Sequence, residues 1–598
     1  MSAPRASSRA GPIRAASAAF CLAALLLFGA ARGVPEDARS VLSTPFGPSP
    51  TVTSRRGVVS SAEIGASRAG AAVLAAGGNA VDAAVATAFA LAVTYPQAGN
   101  LAGGGFAVVR SRDGDVHALD FRETAPAGTW DRTFLLPDGT PRGDASRQGG
   151  LSVATPGTVR GLEELHRRLG RLPWARLVAP AVGLARDGFR VPEPLRADLL
   201  QQAARLKTSP GSRRIFFRGD EPVPAGEVLT QPELAATLEA IARGGADAFH
   251  RGPIARLVAE RVRATGGVLT EEDLSSYRPV WRPPVVVDFD RWRLVTMPPP
   301  SAGGVVLMSI LGQLEAAPTG LRGLDEAGRI HLVAEAMKRA FADRNEYVGD
   351  PDCVSMPLAG LLAPARLAAL GGSLRLDRAT PSSAIKAGAV PREGDQTTHF
   401  SVATADGEAV AVTYTLNETF GNGDVVPGVG VLLNNEMDDF ATQPGRPNLF
   451  GLIQGTANAV RAGARPVSSM SPMVVLEDGH PRFVLGSPGG STIPSTVLEV
   501  FLRAGPLGES LPAAVAAPRF HHQHLPDELV VERGAWPAAV LEELRRRGDV
   551  VRERSLTNSW GRIGVVHAIS FEKDGSLIGV ADPRRYGRAV SAEQSARP

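Results

Sequence analysis

Ala80 to Val93 is built almost wholly of Ala, Val, Leu and Phe apart from Asp82, with Asn79 placed to cap it and Tyr95-Pro96 to end it. A helix apolar on every side belongs in the interior, so the rest of the chain has to wrap around it. Upstream, Ser60-Ser61-Ala62-Glu63 reads as a helix cap leading into a helix from Ile64 to Ala76 that Gly77-Gly78 stops. Downstream, Gly103-Gly104-Gly105 precedes a strand, Phe106 to Arg110. Glycines after a helix and before a strand reverse the dinucleotide-binding order, so they are read as close backbone packing under an active site.

At 598 residues the chain can hold several average domains, yet no low-complexity linker divides it and one large intertwined α/β unit is also compatible. The formal charge is +3, and basic residues are scattered among acids, so nothing suggests a nucleic-acid partner. The first residues read as an export signal, residues 1–33. Arg5, Arg9 and Arg14 precede an apolar run from Ala15 to Phe28, and Gly29-Ala30-Ala31 suits cleavage. The run is short for a spanning helix. The expected location is periplasmic or secreted, with an uncleaved membrane anchor as the alternative. Removal of this segment takes Cys21 with it and leaves Cys353, so no intramolecular disulfide is expected.

Val108 to Ser111 and Val116 to Phe121 form a hairpin across Asp113-Gly114 and deliver Arg122-Glu123 at a strand end. From Thr155 to about Leu370 the pattern is mostly helical: Val159 to Leu169, Pro173 to Gly188 with a break or kink at Pro180, Pro232 to Gly244, Pro253 to Gly266, Ser301 to Leu314 and Gly323 to Tyr347. Strand material returns at Val285 to Phe289 and Trp292 to Met297.

A polar, Gly-containing approach from Lys386 to Asp395 then runs into Gln396-Thr397-Thr398-His399-Phe400-Ser401, and Asp406-Gly407 turns the chain into Ala409 to Tyr414. This is a hairpin signature with an Asp-Gly turn. A linker entering a buried strand that begins with threonine is what a self-cutting enzyme needs. Thr397 would then supply both nucleophile and base, because a free α-amino group titrates near ~7.7–8.0.

Taken with Thr413-Tyr414-Thr415-Leu416-Asn417, Leu433-Asn434-Asn435-Glu436-Met437-Asp438-Asp439-Phe440, Arg465 to Pro472 and Gly486-Ser487-Pro488-Gly489-Gly490-Ser491, this stretch resembles the γ-glutamyltransferases in order and spacing, from about Gly57 to the C-terminus. The resemblance implies the α+β, four-layer αββα sandwich of N-terminal-nucleophile hydrolases. It implies cleavage between Gln396 and Thr397 into a large subunit, 34–396, and a small one, 397–598, that stay together as a heterodimer. By the same resemblance Thr397 is the nucleophile, Thr415 orients it, and Gly489 and Gly490 form the oxyanion hole. Arg122, Ser468 and Ser469 hold the α-carboxylate of a γ-glutamyl group, Asn417 contacts its glutamyl end, and Glu436 and Asp439 receive its α-ammonium. The implied substrates are glutathione and other γ-glutamyl compounds, with water, amino acids or peptides as acceptors and with no cofactor or metal. Pro444 to Gly451 matches a lid loop, with Phe450 where Tyr is frequent.

Two rival readings remain at this point: a β-lactam side-chain (glutaryl or cephalosporin) acylase, and an exported binding protein that does not process itself. The histidines of Phe520-His521-His522-Gln523-His524 match no compact metal motif, and the family carries a similar stretch without a metal.

Overall fold

The computed structural model describes residues 46–385, 397–443, 455–555 and 562–595. The export segment, Gln396 with its approach, and the whole lid loop with Phe450 therefore lie outside the described residues.

Alternating strands assemble into two seven-stranded sheets in which every pairing is antiparallel. The first runs Arg588–Ser591, Gly57–Ser61, Thr397–Thr404, Ala409–Thr415, Gly104–Arg110, Val116–Asp120, Val280–Arg282. The second runs Thr51–Ser54, Leu577–Ala581, His567–Phe571, His480–Gly486, Met473–Glu477, Trp292–Thr296, Val285–Phe289. Successive side chains of a strand face opposite ways, and here both faces are covered. In the first sheet Phe400, Val402, Val410, Val412 and Tyr414 pack on the helices Ile64–Ala75 and Ala80–Thr94. Ala403, Ala409 and Ala411 face the second sheet, whose other side packs on Gly303–Glu315, Glu326–Tyr347 and Thr492–Ala504. The order helix, sheet, sheet, helix is the expected αββα sandwich.

The apolar helix is buried at every position, as its composition requires. Asn79 and Asp82 cap it reciprocally, at 2.9 and 3.1 Å. The buried Asp82 also accepts the N–H groups of Arg171 and Leu172, which satisfies a charge that the interior would otherwise reject. Gly104 and Gly105 pair with Thr415 and Tyr414, and a Cβ on Gly105 would stand 2.4 Å from the Thr413 carbonyl oxygen. That is the close approach the glycine run predicts.

Local expectations are corrected at three places. Ser60 and Ser61 end a buried strand, and it is the Glu63 carboxylate that caps the first helix by accepting the Ala66 N–H at 3.0 Å. The helix Trp174–Asp187 runs unbroken through Pro180. Pro180 deprives only the carbonyl of Arg176, a residue on the exposed turn where water can replace the lost donor. A strand forms at Thr51–Ser54, where the sequence pattern gives no expected element.

Candidate active site

Thr397 is the first residue of a central strand and pairs across the hairpin with Thr415, the last residue of its neighbour. It shares strand parity with His399, Ser401 and Ala403, so its side chain belongs to the space between the sheets rather than to the helix face. It is nearly buried, at 8% exposure.

Beyond Thr415 the backbone turns through Asn417 at φ 74°, a conformation that Asn tolerates better than most residues. The Asn417 N–H donates to Thr415 Oγ1 at 2.8 Å, and its Nδ2 donates to the Asn435 carbonyl at 2.9 Å. Asn434 acts as a cross-link: its Nδ2 donates to the carbonyls of Ala102 and Ala154, while its Oδ1 accepts the N–H groups of Ala154 and Glu436. The loop carrying Glu436 and Asp439 is thereby tied to the glycine strand and to the chain after Ser152.

Arg122 leaves its strand fully buried. Its guanidinium pairs with Glu436 and with Asp439, lies 3.4 Å from Glu123 and donates from Nε to the Pro466 carbonyl at 3.3 Å. One guanidinium thus faces two fully buried acids, Glu123 and Glu436, and the partly exposed Asp439. Burial raises the carboxyls of Glu123, Glu436 and Asp439, with Arg122 pulling each the other way. Arg122 itself, which burial would lower, is held above its ordinary value by Glu436, Asp439 and Glu123. The guanidinium is permanently charged, and burial favours the protonated form of the acids around it. Next to them, burial raises Asp438 to about 7, although Ser146 hydrogen-bonds its carboxyl.

Ser468 and Ser469 come in on a segment whose backbone is pinned to Pro300 and Ala302, at 2.9 and 2.7 Å. Gly489 and Gly490, at φ 135° and 55°, lead into the helix Thr492–Ala504, and the Gly489 carbonyl accepts the Thr492 hydroxyl at 2.7 Å. Arg122, Thr397, Thr415, Asn417, Glu436, Asp439, Ser468, Ser469 and Gly490 line one small cavity of about 30 Å³, with Gly489 beside it. Gln396 lies outside the described residues.

Three participants escaped the sequence reading. Glu123 lies 3.4 Å from the Arg122 guanidinium, inside the protein. Arg344, on the helix Glu326–Tyr347, donates to Ser469 Oγ at 3.2 Å; the one signal was the polar run Asp343-Arg344-Asn345 near the end of that helix. Glu418 accepts from Arg147 at 2.7 Å, Arg205 at 2.8 Å and Asn435 at 3.0 Å, and so anchors the turn at Asn417 to the helical half. The histidine stretch is occupied by hydrogen bonds: His521 with Ser495 and Gln523 at 2.7 and 3.0 Å, and His522 with the His524 N–H at 3.2 Å. Among the described residues no group of three or more His, Cys, Asp and Glu is arranged to hold a metal, and no helix is long and apolar enough to cross a membrane.

The family model for gamma-glutamyltranspeptidase matches residues 66–592. The chain belongs to the gamma-glutamyltranspeptidase family. A glutathione hydrolase proenzyme of Escherichia coli (strain K12) is 44% identical over 535 residues, which is 89% of this chain and 91% of that protein. Helicobacter pylori gamma-glutamyltranspeptidase, a solved structure, is 39% identical with a TM-score of 0.53, over 54% of this chain and 93% of its own. A cephalosporin acylase from Bacillus halodurans gives a TM-score of 0.78 at 26% identity, over 95% of this chain and 99% of its own. The gamma-glutamyltranspeptidase motifs quoted above all fall within the matched span.

Proposed function

We propose that the chain is the proenzyme of a glutathione hydrolase and γ-glutamyltransferase, which cuts itself before Thr397 and then cleaves γ-glutamyl amides. The observation that carries this reading is the meeting of Thr397, Thr415 and Gly490 with Arg122, Glu436 and Asp439 around one cavity. In maturation the Thr397 hydroxyl attacks the Gln396 carbonyl, the peptide shifts from nitrogen to oxygen, and water splits the resulting ester. The products are a large chain, 34–396, and a small chain, 397–598, with a free α-amino group on Thr397. The first sheet supports a lasting heterodimer, because the hairpin from Thr397 to Thr415 is inserted between Gly57–Ser61 and Gly104–Arg110 of the large chain.

In turnover that amine takes the Thr397 hydroxyl proton as Oγ attacks the γ-carbonyl, and gives it to the leaving amine. N–H groups of Gly489 and Gly490, at the start of a helix, stabilise the oxyanion. The glutamyl ester then passes to water or to the amine of an amino acid or peptide. Arg122, Ser468 and Ser469 receive the α-carboxylate, Asn417 the glutamyl chain, and Glu436 and Asp439 the α-ammonium. Glu123, Glu436 and Asp439 around the Arg122 guanidinium suit the capture of a cation, because an incoming ammonium stabilises carboxylates that burial otherwise drives towards the protonated form. Export to the periplasm or beyond is supported by the N-terminal segment.

A glutaryl side chain has no α-ammonium for Glu436 and Asp439, and this favours the glutamyl reading over a glutaryl acylase. Hydrolysis of a γ-glutamyl anilide compared with a glutaryl amide is the test. Faster turnover of the glutamyl compound is expected, and preference for the glutaryl compound would overturn the assignment. A purified protein that stays uncut and inactive would support the binding-protein reading.

A further inference from the structure

Away from the glutamyl cavity, and sharing no lining residue with it, lies a second cavity of about 380 Å³ between Asp198 and the segment Pro583 to Arg588. It is within the volume range of small-molecule sites, roughly 300–1,000 Å³. Arg562, Arg585 and Arg588 line it, and none of the three forms an ion pair among the described residues. Arg585 donates from Nη1 to Tyr95 Oη at 2.7 Å, but its buried Nε has no acceptor. Arg562 makes no hydrogen bond among the described residues, and Arg588 donates to the carbonyl of its own neighbour Gly587 at 2.8 Å.

The adjacent Arg584 shows what a balanced arginine looks like here: it meets Glu532 at 2.6 Å and Asp582 at 3.3 Å. Asp198 alone among the lining residues is acidic, and Gln97 already hydrogen-bonds it at 3.0 Å. Three guanidiniums with no ion pair among the described residues, those of Arg562 and Arg585 half-buried and that of Arg588 exposed, stand against one carboxylate, an excess of two positive charges. Confining like charges in a half-buried space without counter-ions is unfavourable, and Arg forks match carboxylate and phosphate oxygens. Burial, and after it the charge of Arg585, lowers the pKa of Arg562, the direction expected of a cation that lacks an anion. Burial pulls Arg585 the same way, but Tyr95 and Asp198 hold it above its ordinary value, so the one carboxylate of the cavity is already engaged.

We propose that this cavity binds a small multivalent oxyanion, phosphoryl or polycarboxylate, between Arg562, Arg585 and Arg588. Its position gives such a ligand a route to the catalytic loop. From Arg562 the chain passes through Ile563, whose carbonyl accepts from Arg519 at 2.9 Å, to Val565, whose N–H donates to Ser487 Oγ at 2.8 Å. The Gly564 Cα would lie 3.3 Å from a Cβ built on Gly489.

Titration calorimetry of the intact protein without substrate, at constant ionic strength, tests this independently of the reaction. The probes are inorganic pyrophosphate in one arm and citrate in the other, and the tighter arm names the ligand chemistry. Saturable binding of either is expected, weakened at least tenfold in Arg562→Gln/Arg585→Gln. Two milder variants serve if that protein does not fold: Arg588→Gln should weaken binding and Asp198→Asn should tighten it. No saturable heat in either arm, or affinities unchanged in the variants, would overturn the proposal.

Discussion

The two ends of the candidate active site are built on opposite principles. Around Thr397 the groups are neutral hydroxyls and backbone N–H groups, set by strand register and by a helix start: Thr397 opposite Thr415, and Gly489-Gly490 leading into Thr492–Ala504. Around Arg122 the groups are buried ions on loops, where one guanidinium faces Glu123, Glu436 and Asp439. The chemical end relies on geometry that the fold fixes outright. On the proposed reading the charged end holds the ligand through ion pairs, with its ammonium beside Glu436 and Asp439, so the two ends should fail differently.

The largest effect is expected at the neutral end. Thr397→Ala removes the oxygen on which the acyl shift depends, so one chain of full mature length and no turnover are expected on a denaturing gel and in a γ-glutamyl anilide assay. Two subunits from this variant would break the comparison at its first term. Gly489→Ala places a methyl group 2.5 Å from Thr492 Oγ1, at a φ that L-residues avoid. Displacement of one oxyanion donor should cost ~10²–10³ in kcat, with KM nearly unchanged.

Arg122→Lys keeps the charge but loses the fork. With about 1.5–3 kcal/mol for a hydrogen bond to a charged group, KM for the donor should rise about tenfold or more, by more than self-cleavage slows. An unchanged KM would assign the carboxylate to Ser468 and Ser469 instead.

The same contrast decides how much the sequence reveals. Register is written locally: the Asp406-Gly407 turn and the alternation on either side are enough to set Thr397 opposite Thr415, and the wholly apolar stretch from Ala80 places a helix in the interior. The αββα order follows from two-sided burial, which the resemblance supplied and alternation alone does not state. Charge balance is not written locally. Arg344 reaches Ser469 from a helix more than a hundred residues away in sequence, and Glu418 gathers Arg147 and Arg205 from the helical half. Glu63 and Ser61 show the same limit on a smaller scale, since either can cap a helix and only the strand Gly57–Ser61 decides between them.

The effect with the least consequence for turnover concerns stability at the charged end. Burial raises the Asp438 carboxyl from 3.8 to about 7, so the folded protein binds this proton more tightly than the unfolded chain does. The stability it contributes is fully present below pH ~4 and is lost as pH rises to about 7, by on the order of 4 kcal/mol at most. Asp438→Asn should therefore show a smaller fall in Tm over that window than the wild type. An equal fall would move the titration to Glu123, Glu436 or another buried acid.

The central claim, that Thr397 becomes an N-terminus, is tested most directly by N-terminal sequencing of the purified protein's smaller chain. The account predicts a sequence beginning Thr-Thr-His-Phe-Ser from Thr397. A small chain that begins at any other residue, or a fully active protein that remains one uncut chain, would contradict it.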